Sequence, residues 1–147
     1  MKIAIACDHG ALELKNAAIK HLTEKGHTVV NFGTDTLDSC DYPDFVAPAA
    51  KAVACGECDR GIVLCTTGIG VSIAANKVKG IRCALLSDLM SARMTRDHND
   101  TNMMAIGAAV VGQGLALEIM DTWLATEFSH GPRHQRRIDK IAALENE

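Results

Sequence analysis

Aromatic side chains are scarce in this sequence, with one Trp, one Tyr and three Phe among 147 residues, which leaves no platform on which nucleobases could stack. An excess of positive charge is missing as well. Fifteen Lys and Arg face 18 Asp and Glu, a formal net charge of −3, so no global basic field holds a polyanion. Nucleic acid is not an expected partner. No run of about 18 apolar residues occurs, so no membrane-spanning helix is expected. The opening Lys2-Ile3-Ala4-Ile5-Ala6-Cys7 reads as a strand rather than a cleavable leader, and a cytoplasmic protein is expected. Repeats, low-complexity tracts and interdomain linkers are also lacking.

What the chain does have is aliphatic. Its hydrophobic share of 48% is carried by aliphatic side chains and Ala, enough at this length for the core of a single domain spanning 1–147. Six cysteines, at 7, 40, 55, 58, 65 and 83, fall partly inside apolar runs and read as reduced thiols rather than a secreted disulfide framework. Residues 2–7 form a strand, and Ala11, Leu14, Ala18 and Leu22 share one helical face over 11–25, which Gly26 ends. The run 28–32 leads into a polar loop at 33–44, after which Asp44 caps a helix to Ala54 that takes Pro48 near its first turn. Then follow a strand at 60–65, a helix opening at Ser72, a strand at 81–86, a helix at 88–97, a strand at 103–111, a helix at 113–126 and a last helix from about 132. Five apolar strands joined by helices require parallel pairing covered on both sides, because parallel neighbours need crossover connections. The expected fold class is α/β, a three-layer α/β/α sandwich on a Rossmann-like five-stranded parallel sheet.

In such a sheet ligands sit beyond the carboxyl ends of the strands, so the residues just after each apolar run carry the chemistry. Cys65 ends the third run and is followed by Thr66-Thr67-Gly68-Ile69-Gly70 and a helix. Glycines there let backbone N–H groups approach a ligand, and the helix dipole favours both a thiolate and an oxyanion beside it. A cysteine that merely fills space at a strand end is the plainer alternative. Asp8-His9-Gly10, after the first strand, offers a hydrogen-bond acceptor and a switchable cation, or simply a helix cap. His98-Asn99-Asp100 lies between a helix and the last strand, where a loop can project His98 toward the ligand edge as an acid or base, or form an ordinary turn. Gly131-Pro132 starts a helix with Arg133 and Arg137 four apart on one face. Cations in a first turn oppose the helix dipole by about 0.3–1 kcal/mol each, so an anion, phosphate foremost, is expected to restore the balance. A solvated basic stripe is the other use of such a helix. Cys55-Gly56-Glu57-Cys58 lacks the second cysteine or histidine pair that a tetrahedral site needs, and no metal is expected.

Cys7-Asp8-His9, Asp41-Tyr42-Pro43, Cys65 with Thr67-Gly68-Ile69-Gly70, Ser72-Ile73-Ala74-Ala75-Asn76-Lys77, His98-Asn99-Asp100-Thr101-Asn102 and Gly131-Pro132-Arg133-His134-Gln135-Arg136-Arg137 together carry a resemblance. From end to end the chain resembles the type B ribose-5-phosphate isomerases, within the wider ribose/galactose isomerase family. The resemblance implies an aldose–ketose isomerase of a phosphorylated sugar, ribose 5-phosphate foremost, working through an enediolate without a cofactor. It implies that Cys65 is the base that moves a proton between C1 and C2, that His98 helps open the sugar ring, and that Thr67 supports the loop chemistry. It gives Asp8 a substrate hydroxyl, His9, Arg133 and Arg137 the phosphate, and Asn99 the sugar. The 66–70 backbone, with Thr66, Gly68, Ile69 and Gly70, is implied to stabilise the enediolate oxygen. A homodimer or tetramer with active sites shared between two subunits is implied too.

Two positions depart from the family pattern: Thr66 stands where Gly is common, and Ala109 where many members have a phosphate-contacting Arg. A six-carbon phosphate such as allose 6-phosphate is therefore an alternative substrate, and a noncatalytic phosphosugar-binding module is a further reading. Cys65 to Ser72 also approaches the cysteine, five residues, arginine, serine spacing of small phosphotyrosine phosphatases. Val71 occupies the arginine position, which removes the bidentate transition-state donor.

Overall fold

The computed structural model describes every residue from Met1 to Glu147. Strands β1 (Lys2–Cys7), β2 (Thr28–Asn31), β3 (Arg60–Cys65), β4 (Cys83–Leu85) and β5 (Met103–Gly107) pair in parallel throughout, in the order β2-β1-β3-β5-β4. The helices are α1 (Leu12–Glu24), α2 (Tyr42–Ala54), α3 (Ile69–Asn76), α4 (Leu89–Asn99), α5 (Gln113–Ala125) and α6 (Pro132–Ala143). The α/β class with a five-stranded parallel sheet is as the sequence implies.

Alternation along the strands sends successive side chains to opposite sides of the sheet. On one side Ile3, Ile5, Ile62, Leu64 and Ile106 pack with Leu14 and Leu22 of α1, Ala92 of α4, and Ile119 and Trp123 of α5. Trp123 is fully buried, and its indole N–H donates to Thr101 Oγ1 at 3.0 Å, which meets the polar need of a buried indole. On the other side the small Ala4, Ala6 and Ala105 meet Val46 and Val53 of α2 and Val71 of α3. The helix α6 lies outside these layers, against α4. No helix is long and apolar enough to cross a membrane.

Several boundaries move, each for a local reason. The second helix starts at Tyr42 after Asp41 rather than being capped by Asp44, because Pro43 suits the first turn; Asp44 lies within that turn and Pro48 is interior. The third helix opens three residues before Ser72, at Ile69, because left-handed Gly68 (φ +77°) turns the chain directly from strand to helix. The last strand ends at Gly107 rather than 111, since Val110 and Val111 N–H groups donate back to the Gly107 carbonyl and close a turn. The fourth strand is only Cys83–Leu85, at the sheet edge. The fourth helix runs two residues beyond 97, to Asn99, and stops at left-handed Asp100 (φ +45°).

Candidate active site

The strand order reverses between β1 and β3. From β1 the chain moves out to β2, and from β3 it moves to the other side, so the loops after these two strands diverge and leave a crevice. Both loops carry residues singled out in the sequence. Asp8 is 8% exposed; its Oδ1 accepts the Gly10 N–H at 2.9 Å, and its own N–H donates to the Leu64 carbonyl at 3.2 Å. His9 Nδ1 accepts the Cys40 N–H at 3.3 Å, so Nε2 bears the proton of the neutral ring and is a donor. That contact folds the 33–41 loop back over the first turn.

Cys65 ends β3 at 5% exposure. Its Sγ accepts the Gly68 N–H at 3.1 Å, which points the sulfur at the head of α3. A Cβ on Gly68 would come within 2.8 Å of the Gly107 backbone and strike the Leu85 side chain, so close approach and positive φ together demand glycine there. A Cβ on Gly70 would lie 2.6 Å from the Tyr42 ring; the tyrosine of the Asp-Tyr-Pro motif packs against the loop. Thr67 Oγ1 accepts the Ile69 N–H at 3.3 Å. The Gly70 and Val71 N–H groups have no acceptor within the chain and are orphan donors of a helix start. Thr66 is exposed and covers Gly10, whose added Cβ would collide with Thr66 Oγ1.

Two other thiols near strand ends differ from Cys65 in their surroundings. Burial pushes the Cys7 thiol up to about 11 and the Cys83 thiol up to about 12, so both stay protonated at neutral pH. Val71 is fully buried, and its position cannot present a guanidinium to a phosphate loop.

The second group of residues lies elsewhere. His98 and Asn99 form the last turn of α4, so the expected loop that would project His98 toward the ligand edge is corrected. In a parallel sheet each helix returns the chain to the amino-terminal edge, and α4 does so: the Asn102 carbonyl, just beyond it, accepts the N–H of Gly61 at the start of β3. From there to Cys65 is four residues, roughly 13 Å along the strand. Arg82 fixes this end, its Nε donating to the Asn99 carbonyl at 3.0 Å and a terminal nitrogen to the Asp100 carbonyl at 2.8 Å. Arg133 and Arg137 are exposed at the start of α6, beside α4, with no carboxylate partner. The residues singled out in the sequence therefore fall into two groups within the protomer. Asp8, His9, Cys65 and 66–70 sit at the carboxyl edge, while His98, Asn99, Arg133 and Arg137 sit toward the amino edge.

The family model described as ribose/galactose isomerase matches residues 3–141. The chain belongs to the ribose/galactose isomerase family. One member, the ribose-5-phosphate isomerase B of Escherichia coli, is 47% identical over 144 residues, covering 98% of this chain and 96% of that protein. The structure of Clostridium thermocellum ribose-5-phosphate isomerase B superposes with a TM-score of 0.97 at 53% identity, covering 99% and 98% of the two chains. A further member, from Mycoplasma genitalium and solved with bound ribulose 5-phosphate, gives a TM-score of 0.95 at 40% identity, covering 99% and 97%.

Within this ribose/galactose isomerase framework the unusual Ala109 is legible. Its N–H donates to the Thr66 carbonyl at 3.0 Å, and it lines a cavity of about 330 Å³ together with Gly10, Glu13 and Gln113. The two departures from the family pattern are thus joined by a backbone hydrogen bond at one wall of the crevice. Sequence reasoning gave no role to Cys40, Ser129 or His134, which contact His9, Asp97 and His98 through loops and helix ends that no spacing rule connects.

Proposed function

We propose that the protein interconverts ribose 5-phosphate and ribulose 5-phosphate, with Cys65 as the base. The observation that carries this reading is the Gly68 N–H donated to Cys65 Sγ at the head of α3, with the Gly70 and Val71 donors free beside it. A sulfur that accepts an N–H has its lone pairs fixed in direction, and unpaired N–H groups suit an oxyanion formed next to it. In the open-chain aldose Cys65 takes the C2 proton, the electron pair forms a C1–C2 double bond, and O1 becomes the enediolate oxygen. The proton returns to C1, the O2 hydroxyl proton passes to O1, and C2 becomes the ketone. No electron or proton is consumed, and the chemistry needs no cofactor.

The phosphate is held several atoms away by His9, Arg133 and Arg137, so remote binding fixes the carbons against the thiol. Asp8 binds a sugar hydroxyl, Asn99 contacts the sugar, His98 opens the ring, and Thr66 to Gly70 line the reacting end. Because the two groups are separated within one protomer, the working unit is a homodimer or a dimer of dimers in which the C-terminal arginines and His98 of one copy meet the thiol edge of another. Ile69, Ile73, Leu85 and Met90 are each more than 45% exposed around that edge, which supports coverage by a second copy. All six cysteines are free, in keeping with a reducing, cytoplasmic setting.

The test is a panel of pentose and hexose phosphates incubated with the purified protein and a chelator, with aldose–ketose exchange followed by NMR. Ribose 5-phosphate is expected to reach equilibrium with the ketose. Binding without exchange of any aldose phosphate would instead mark a phosphosugar-binding module, and faster turnover of a hexose 6-phosphate would assign the Ala109 cavity to a sixth carbon.

A further inference from the structure

Two residues without a role so far lie at the end of α4: His134, whose ring packs on His98, and Ser129, which bonds His134 and the Asp97 carbonyl. Ser129 Oγ donates its only hydroxyl proton to the Asp97 backbone carbonyl at 2.8 Å, so toward His134 Nδ1, 3.0 Å away, it is the acceptor. His134 therefore bears its proton on Nδ1. The ring held in this way has its centroid 4.2 Å from that of His98, inclined at 40°. His98 Nε2 stands 3.3 Å from the Asp97 carboxylate, an electrostatic contact that favours a proton on Nε2 and leaves Nδ1 free to act as the base.

We propose that Ser129 and His134 are positioning residues for sugar ring opening, holding the His98 imidazole in place with a neutral ring beside it so that His98 Nδ1 can take a proton. The inference rests on the isomerase reading above and extends it. In the step it serves, Nδ1 takes the proton of the C1 hydroxyl, the C1=O bond forms as the bond from C1 to the ring oxygen breaks, and the same proton passes to that oxygen. Nothing is gained or lost overall.

The charged groups facing His134 are Asp97 on α4 and Arg133 and Arg137 on α6, with His98 beside it. A charged His134 would add a third cation to the two arginines and oppose proton uptake by His98. Loss of water around its ring, with His98 and the arginines nearby, holds the His134 pKa below the ordinary histidine value, in line with a ring kept neutral.

The test compares ribose 5-phosphate, which must open a furanose ring, with erythrose 4-phosphate, whose C4 oxygen is esterified and cannot close one. Ser129→Ala and His134→Ala are each expected to lower kcat on ribose 5-phosphate about tenfold with little change in KM, while leaving the erythrose 4-phosphate rate within about twofold. The open-chain rate also reports that each variant is folded. His134→Phe keeps a flat neutral ring but loses the Ser129 bond, so its pentose rate is expected to match that of Ser129→Ala, and His134→Lys, which adds a cation beside His98, is expected to fall further. Variants whose pentose-to-tetrose rate ratio equals that of the wild type overturn the inference alone. A wild type inactive on both sugars overturns the isomerase reading and the inference with it.

Discussion

At the scale of single residues the structure separates groups that look alike in the sequence. Cys7, Cys65 and Cys83 all lie in or at the ends of apolar runs; burial raises the first and last above the ordinary thiol value, and of the three only the Cys65 sulfur accepts a backbone N–H at a helix start. Replacing Cys65 by Ala should reduce kcat on ribose 5-phosphate by about 10²–10⁴-fold while substrate binding, followed by calorimetry, persists. An unchanged kcat would remove the thiol from the reaction. If Arg137 holds the phosphate as proposed, Arg137→Ala loses a charge-assisted contact of about 1.5–3 kcal/mol, and KM for the phosphorylated sugar should rise roughly ten- to a hundredfold with kcat less affected; normal kinetics would end its phosphate role. Ala109→Arg fills the cavity beside Thr66 and should lower KM for the pentose phosphate relative to a hexose phosphate. Equal changes for both sugars would deny position 109 any part in substrate size.

At the scale of elements, two devices hold the two groups of residues in place. Lys15 of α1 is fully buried and donates to the Asn31 side chain at 3.0 Å, to the Thr34 carbonyl, and to Asp35 at 2.5 Å, tying the loop after β2 to α1. Lys15→Met leaves the buried Thr34 carbonyl only the weak Cys7 thiol donor and should cost about 1–3 kcal/mol in urea unfolding. The hydrogen bond from Lys15 holds the Asp35 carboxyl below its ordinary range. The folded state thus binds that proton less readily than the unfolded chain, and the stability Asp35 adds is present above the unfolded value and lost as pH falls through the folded one. Stability of the Lys15→Met variant should accordingly fall less steeply below about pH 4 than that of the wild type; parallel curves would exclude the pair. At the other edge Arg96, 3% exposed, donates to Asp100 at 2.8 Å, the Thr101 carbonyl at 2.6 Å and the Thr126 carbonyl at 3.2 Å, which fixes the chain just past His98. Helix existence was legible from periodicity; the end of α4 was not, because Asp100 adopts a left-handed cap that its residue type permits without requiring.

At the scale of the whole molecule the decisive observation is the separation of Cys65 and its loop from His98 and the C-terminal arginines within one protomer. A complementation experiment follows from it. Cys65→Ala and His98→Asn are each expected to be poor on ribose 5-phosphate, yet mixing them and allowing subunits to exchange should restore about a quarter of wild-type turnover. About half of the dimers are then mixed, and each mixed dimer holds one intact site of two. No recovery after verified exchange would place all of these residues in one protomer's site.

Sequence alone determined the strands, their parallel pairing and the chemical groups, because periodicity and the need to cover both sides of a parallel sheet are local and topological constraints. It also marked Cys65 and Asp8 by their positions after apolar runs, and His98 by its place between a helix and the last strand. Only the tertiary structure decided which edge each group occupies: a helix between parallel strands carries the chain back across the sheet, so residues at its end stand opposite those at its start. For the same reason the Ser129, His134 and His98 cluster, assembled from the end of one helix and the beginning of another, left no trace in the spacing of the sequence.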